Sequence, residues 1–225
     1  MQEATTDNTA RRLEEINAQI AAAAKLARRS PAEIELIAVS KTRSADEIEP
    51  LLQAGQRVFG ENRIQEAESK WPELKLRYPD VKLHLIGQLQ SNKAGEAVAL
   101  FDVIHSLDRM SLMTALGKAM RVQAKQVPCF VQVNIGAEPQ KGGCAIEDLP
   151  KLLAAAKNEG VPVAGLMCLP PADIEPAPFF ALLAELAARH DLSGLSMGMS
   201  DDFPTAIMLG ATHVRIGTAL FGPRP

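Results

Sequence analysis

Lys41 follows directly on a run of β-branched and apolar residues, IELIAVS (34–40), and is the first residue in this 225-residue chain placed to do chemistry. An ε-amine at the end of a buried strand, partly desolvated or close to other cations, can shed its proton near neutrality and attack an aldehyde. Position alone equally suits a solvated strand-end lysine, so the other segments must decide. HVRIGTALFG places Gly217 and Thr218 at a strand-to-helix junction, where exposed N–H groups and a hydroxyl suit a phosphate. GLSMGMSDD ends another strand run, and its Ser200 can either cap the next helix or donate to an anion. Arg215 lies two residues before Gly217 and so shares its strand face. Its partner is either a carboxylate (Asp201, Asp202 or Glu61) or an aromatic nitrogen of a bound ligand. GENRIQE adds Glu61 and Asn62 to the same end, and GQLQSNK adds Gln90, Ser91, Asn92 and Lys93, of which Ser91 and Asn92 are also explained as helix caps.

The four histidines, His84, His105, His190 and His213, show no metal-ligand spacing and read as core or capping residues. Cys129, Cys144 and Cys168 are odd in number and form no CxxC, which argues against a disulfide framework or a zinc site and for a reducing cytoplasm. Cys168 closes a strand run and could reach the same end, although a free cysteine in a strand usually acts as a small buried hydrophobe.

These residues need a frame that brings distant segments to one end. Eight short β-branched or apolar runs supply it: 34–40, 57–60, 83–87, 102–106, 129–135, 163–169, 194–198 and 213–217. Amphipathic stretches such as SADEIEPLLQAG, IQEAESKWPELKLR and SLMTALGKAMRVQA separate them, each long enough for a right-handed crossover. The pattern predicts an α/β fold, a (β/α)₈ barrel of the triosephosphate isomerase type, in which the C-terminal strand ends carry the site and the loops after strands seven and eight hold phosphate. An open doubly wound sheet lacks its GxGxxG turn, since VSKTRS follows the first strand. Leu13, Ile16, Ile20 and Ala24 at helical spacing predict an additional N-terminal helix over 8–29, with Asp7 and Asn8 as caps.

No linker or internal repeat divides the chain, so residues 1–225 read as one domain. A net charge of −3, with 47% hydrophobic and 23% charged residues, gives no electrostatic reason to expect nucleic acid or an anionic membrane. The N-terminus alternates its alanines with charges and has neither signal-peptide nor membrane-span character. A cytoplasmic protein that binds small molecules is expected, and the lack of a heptad pattern favours a monomer.

The blocks AVSKT (38–42), GENRIQE (60–66), HLIGQLQSNK (84–93), HSLDR (105–109), GLMCLP (165–170), LSMGMSDDF (195–203) and VRIGTALFG (214–222) together resemble the pyridoxal phosphate homeostasis family. The resemblance runs from about residue 11 to the end. It implies a barrel similar to the N-terminal domain of alanine racemase that holds pyridoxal 5′-phosphate without established turnover. Carried over by motif, it assigns the Schiff base to Lys41, a cofactor-lining role to Asn62, phosphate contacts to Ser200, Gly217 and Thr218, and the pyridine nitrogen to Arg215. Apo-enzymes dependent on the cofactor are the implied partners. One departure is Arg63, where many members are expected to carry an aromatic residue.

Two enzymatic readings compete. A racemase needs a second base on the opposite cofactor face. The tyrosine that serves in racemases comes from a further domain, and Tyr78, the one tyrosine here, is expected at the wrong end of the barrel; His105, Cys168 or a partner chain would have to substitute. An aldolase would use Lys41 on a phosphorylated sugar instead.

Overall fold

The computed structural model describes residues 2–222. The chain runs α1 (Gln2–Leu26), β1 (Glu35–Val39), α2 (Ala45–Gln53), β2 (Val58–Glu61), α3 (Ile64–Glu68), α4 (Trp71–Arg77), β3 (Lys82–Leu85) and α5 (Ala94–Leu100). It continues with β4 (Val103–Leu107), α6 (Met110–Gln123), β5 (Cys129–Gln132), α7 (Leu149–Glu159), β6 (Val163–Met167), α8 (Ala177–Arg189), β7 (Gly194–Ser196), α9 (Phe203–Met208), β8 (His213–Ile216) and α10 (Thr218–Phe221). All neighbouring strands are parallel, and β8 pairs with β1 to close the barrel. Each of the eight runs read from the sequence overlaps one strand, with β2, β3 and β4 reaching one residue beyond the run, to Glu61, Lys82 and Leu107.

Two sequence expectations shift. The N-terminal helix already includes Gln2, so Asn8 lies within it and its Oδ1 accepts from Arg11, while the side chain of Asp7, the other expected cap, lies outside the described residues. Leu13, Ile16, Ile20 and Ala24 are buried as their spacing requires, and α1 packs on α2, α9 and α10. The stretch IQEAESKWPELKLR makes two helices rather than one. Pro72 has no N–H to donate, and its ring would clash with the carbonyl of Glu68, where α3 stops. Among the described residues no helix is long and apolar enough to cross a membrane.

Period-two alternation divides each strand between two layers. Leu36, Ala38, Phe59, Leu83, Leu85, Val214 and Ile216 face outward into the continuous core beneath the helices. The alternate residues face into the barrel, and many of them are polar: His84, His105, Gln132, Ser196 and Arg215 are all buried. Barrel interiors are ordinarily filled by branched aliphatic side chains. Here the interior joins a cavity at the C-terminal mouth to a second one at the floor, the latter lined by Glu35, Lys82, His84, Phe130 and His213.

Candidate ligand site at the barrel mouth

Lys41 stands two residues beyond the end of β1, in a turn fixed from below. Lys70, placed by the break between α3 and α4, is buried; its Nζ donates to the carbonyls of Ser40 and Arg43 at 2.9 Å each and pairs with Glu61 Oε1 at 2.9 Å and Glu66 Oε1 at 3.0 Å. Glu66 also accepts from the backbone N–H of Thr42. These anchors hold Thr42 at φ 64°, a left-handed conformation costly for a β-branched residue. Lys41 is thereby presented from a constrained turn rather than a mobile loop.

Glu61 belongs to this support and not to the mouth. It lies two residues after Phe59, on the outward strand face, where its Oε1 accepts from Ser40 Oγ at 2.6 Å and from Trp71 Nε1 at 3.0 Å. Gln90, Ser91, Asn92 and Lys93 also fall outside the mouth lining: residues 91–93 form a turn of 3₁₀ helix, and Lys93 pairs with Glu96.

The mouth cavity, of about 390 Å³, is lined by Lys41, Asn62, Ser200, Arg215, Gly217 and Thr218, with Val39, Ile86, Leu169, Met199 and Phe221 as apolar walls. Ser200 is not a cap, because the N-cap position of α9 is occupied by Asp202, whose Oδ1 accepts from Met199 N at 2.6 Å. Gly217 and Thr218 open α10. Arg63 is exposed and outside the cavity lining. Arg43 and Asp201 complete the lining, which carries three cationic side chains against one carboxylate.

Arg215 is buried without a carboxylate partner. Its Nη1 donates to Ser196 Oγ at 2.6 Å and its Nη2 to the Cys168 carbonyl at 2.9 Å, and Asp202 acts on it only through its field, without a direct ion pair. The Cys168 side chain points outward into the helix layer, and burial pushes its thiol up to about 12. Sequence reasoning missed Ser196, Ile86 and Val39. The last two were accessible to it, since Ile86 follows His84 and Val39 follows Ile37 on the inward face.

Two glycines of the site have opposite roles. A Cβ on Gly87 would stand 2.2 Å from the Asn62 carbonyl oxygen and 2.7 Å from its Cα, so Gly87 is bare because the Asn62 backbone packs on it. At Gly217 the nearest atoms to such a Cβ are those of Val39 at 3.4 Å, an ordinary contact; bareness there leaves room in the cavity, not in the packing. Gly87→Ala is therefore expected to destabilise the fold by about 1–3 kcal/mol through overpacking. Gly217→Ala should leave the denaturation midpoint in place while weakening ligand binding at the mouth. Urea denaturation and ligand titration of both variants check the contrast.

Residues 12–225 match the family described as alanine racemase, N-terminal domain. The pyridoxal phosphate homeostasis protein of Pseudomonas aeruginosa is 42% identical over 223 residues, covering 96% of this chain and 95% of that one. Its Escherichia coli K12 counterpart is 37% identical, with 97% of both chains covered. The structure of PipY of Synechococcus elongatus with pyridoxal phosphate bound superposes with a TM-score of 0.85 at 37% identity, over 95% of this chain and all of that one. Alanine racemase of Clostridium difficile gives a TM-score of 0.72 at 14% identity, with 57% of its chain covered, a likeness of fold alone. With identity of this extent along nearly the whole chain, the protein belongs to the pyridoxal phosphate homeostasis family.

Proposed function

We propose that this chain is a single-domain carrier of pyridoxal 5′-phosphate, holding the cofactor as a Schiff base on Lys41 and buffering or supplying it in the cytoplasm. The observation that carries the reading is the convergence on one cavity at the barrel mouth of an amine, a buried guanidinium and the strand-to-helix junction at Gly217 and Thr218, with the Ser200 hydroxyl. The donor set fits the group: cationic and hydroxyl side chains suit its phosphate and phenolate, and the bare Gly217 leaves space that a Cβ would fill. The names of the Pseudomonas and Escherichia relatives, and the ligand in PipY, support the same assignment.

When bound, the cofactor supplies an aldehyde for condensation with an amine and a conjugated ring able to store electrons. In this reading Lys41 Nζ is the amine. Ser200 and Thr218 donate hydroxyl hydrogens, and Gly217 a backbone N–H, to the phosphate, while Asn62 lines the ring. Arg215 would face the pyridine nitrogen, and because a guanidinium keeps its proton at neutral pH it would offer that nitrogen a hydrogen bond without transferring a proton, which disfavours use of the ring as an electron sink. Retention is favoured over turnover. No tyrosine, histidine or cysteine side chain is among the described residues lining the mouth, so none of this chain's residues weighed as a substitute for the racemase tyrosine is in place there. Tyr78 caps α4 at the far end and donates to Glu49 at 3.2 Å, while His105 lies below Arg215 inside the barrel.

Recipients of the cofactor in this reading are apo-enzymes that depend on it, and the protein acts as a monomer. The three described cysteines are free and buried, which suits a reducing compartment. The reading is tested by titrating the apo-protein with pyridoxal phosphate. A visible band that borohydride bleaches, no stereochemical inversion of added L-alanine, and release to an apo-enzyme are the expected results. Rapid inversion would make the protein a racemase, and a colourless protein indifferent to the cofactor would favour an aldolase.

A further inference from the structure

Below Arg215 a file of buried polar side chains crosses the barrel interior. Arg215 Nη1 donates to Ser196 Oγ at 2.6 Å, Ser196 Oγ lies 2.8 Å from His105 Nδ1, and His105 Nε2 lies 3.1 Å from His84 Nδ1. Ser196, His105 and His84 are at most 1% exposed. The file starts at the mouth cavity, which Arg215 lines, and ends at the floor cavity, which His84 lines. His105 is held in place by stacking on Phe130, with ring centroids 4.5 Å apart and planes 12° apart.

The direction of every hydrogen bond in this file follows from one fact: a guanidinium only donates. Ser196 Oγ accepts from Arg215, and among the described residues its hydroxyl hydrogen has one acceptor in reach, His105 Nδ1. That nitrogen must then be bare, so the neutral ring carries its proton on Nε2 and donates to His84 Nδ1. His84 in turn carries its proton on Nε2, aimed at the floor, where the nearest carboxylate oxygen is Glu35 Oε1 at 3.7 Å and no hydrogen bond is completed. The reverse polarity would strand the serine hydroxyl hydrogen deep in the barrel, whereas this one moves the unpartnered donor to His84 Nε2, at the floor cavity that His84 lines. Burial and neighbouring positive charge also keep both rings neutral: His84 is driven down to about 3, and His105 well below its ordinary value.

We infer that Ser196 and His105 are positioning residues for the cofactor, setting the orientation of Arg215 through a hydrogen-bond chain of single polarity that runs from the mouth to the floor. The inference rests on the reading that Arg215 opposes the pyridine nitrogen. With Nη1 tied to Ser196 and Nη2 to the Cys168 carbonyl, the plane of the guanidinium is fixed before any ligand arrives. Ser196→Ala removes one of the two ties. His105→Leu removes the acceptor that orients the serine hydroxyl, and His105→Asn restores an acceptor near the Nδ1 position.

Two measurements test the inference. In the apo-protein, long-range ¹H–¹⁵N NMR should show His84 and His105 neutral, with the proton on Nε2 and Nδ1 bare; a proton on Nδ1 of either ring overturns the chain as described. In the protein loaded with pyridoxal phosphate, Ser196→Ala and His105→Leu should each release the cofactor about tenfold faster or more and shift the visible band, with His105→Asn returning most of the effect. Expected tautomers with unchanged release and spectrum overturn the positioning role. If the wild-type protein takes up no cofactor, the binding reading itself fails, and the tautomers still decide the polarity of the chain. The NMR measurement uses the unaltered protein, so it holds even if a core substitution prevents folding.

Discussion

Replacing Lys41 by alanine is expected to abolish the visible absorption band of the loaded protein outright. The band depends on conjugation between the cofactor ring and a C=N bond, and only an amine placed at the mouth can form that bond. Lys41→Arg should fail equally, because a guanidinium keeps the charge but offers no nucleophilic lone pair at neutral pH. In both variants the phosphate contacts proposed for Ser200, Gly217 and Thr218 persist, so weak non-covalent uptake of the cofactor is the expected remainder. Absorbance titration, with the urea midpoint as a folding control, separates loss of the linkage from loss of the fold. A Lys41→Ala protein that keeps a borohydride-sensitive band would remove Lys41 from the account.

Acid should destabilise this protein strongly between pH 7 and pH 5. His84, His105 and His213 meet inside the barrel, with ring centroids of His84 and His105 5.1 Å apart and those of His105 and His213 5.9 Å apart. Desolvation is the main reason their protonated forms are disfavoured, and the charges of Lys82 and Arg215 add to it; His84 is held down to about 3 and His213 to about 4. Each ring has a folded pKa below its unfolded value near 6.5, so the unfolded chain binds more protons in the interval between them. Stability from this source is complete above about pH 6.5 and falls away as the pH drops toward the folded values. The loss at pH 5 is about 2 kcal/mol for each histidine titrating independently. Glu35 opposes the trend, since burial raises its carboxyl and favours the folded state as that group takes up its proton. Urea midpoints at pH 7 and pH 5 measure the balance, and equal midpoints in Glu35→Gln, where the opposing carboxyl is gone, would mean that the three rings are not held neutral.

The fold was legible because each strand announces itself twice, by a β-branched run and by the amphipathic helix that follows. Lys41, Ser200, Gly217 and Thr218 were legible for a related reason: in a barrel, a residue just past the end of a strand run has only the mouth to occupy. Glu61 shows where that reasoning slips. It follows Gly60 in GEN and was assigned to the mouth, but shares the outward face of Phe59, and the period of two, applied strictly, would have placed it under the helices. The long helix read across Ser69 and Lys70 failed at Pro72, and with it went the sight of Lys70 bracing the turn below Lys41.

The interior network was not legible at all. Ser196, His105 and His84 come from β7, β4 and β3, and nothing in local sequence says that an arginine on β8 will rest on a serine from its neighbour. The pairing of β7 with β8, which sets Ser196 against His213, makes that contact, and the closed barrel brings His105 of β4 across to Ser196. The histidines looked like ordinary core residues one at a time. Their meaning lies in the order of donors and acceptors that Arg215 imposes on them.

The central claim, a cofactor held covalently at the mouth by one lysine, is tested most directly by locating the bond. Borohydride reduction of the protein loaded with pyridoxal phosphate, followed by proteolysis and mass spectrometry, should place the reduced adduct on the peptide containing Lys41 in stoichiometric yield. An adduct on Lys70 or another lysine, or no adduct on a protein that nevertheless folds, would contradict the account.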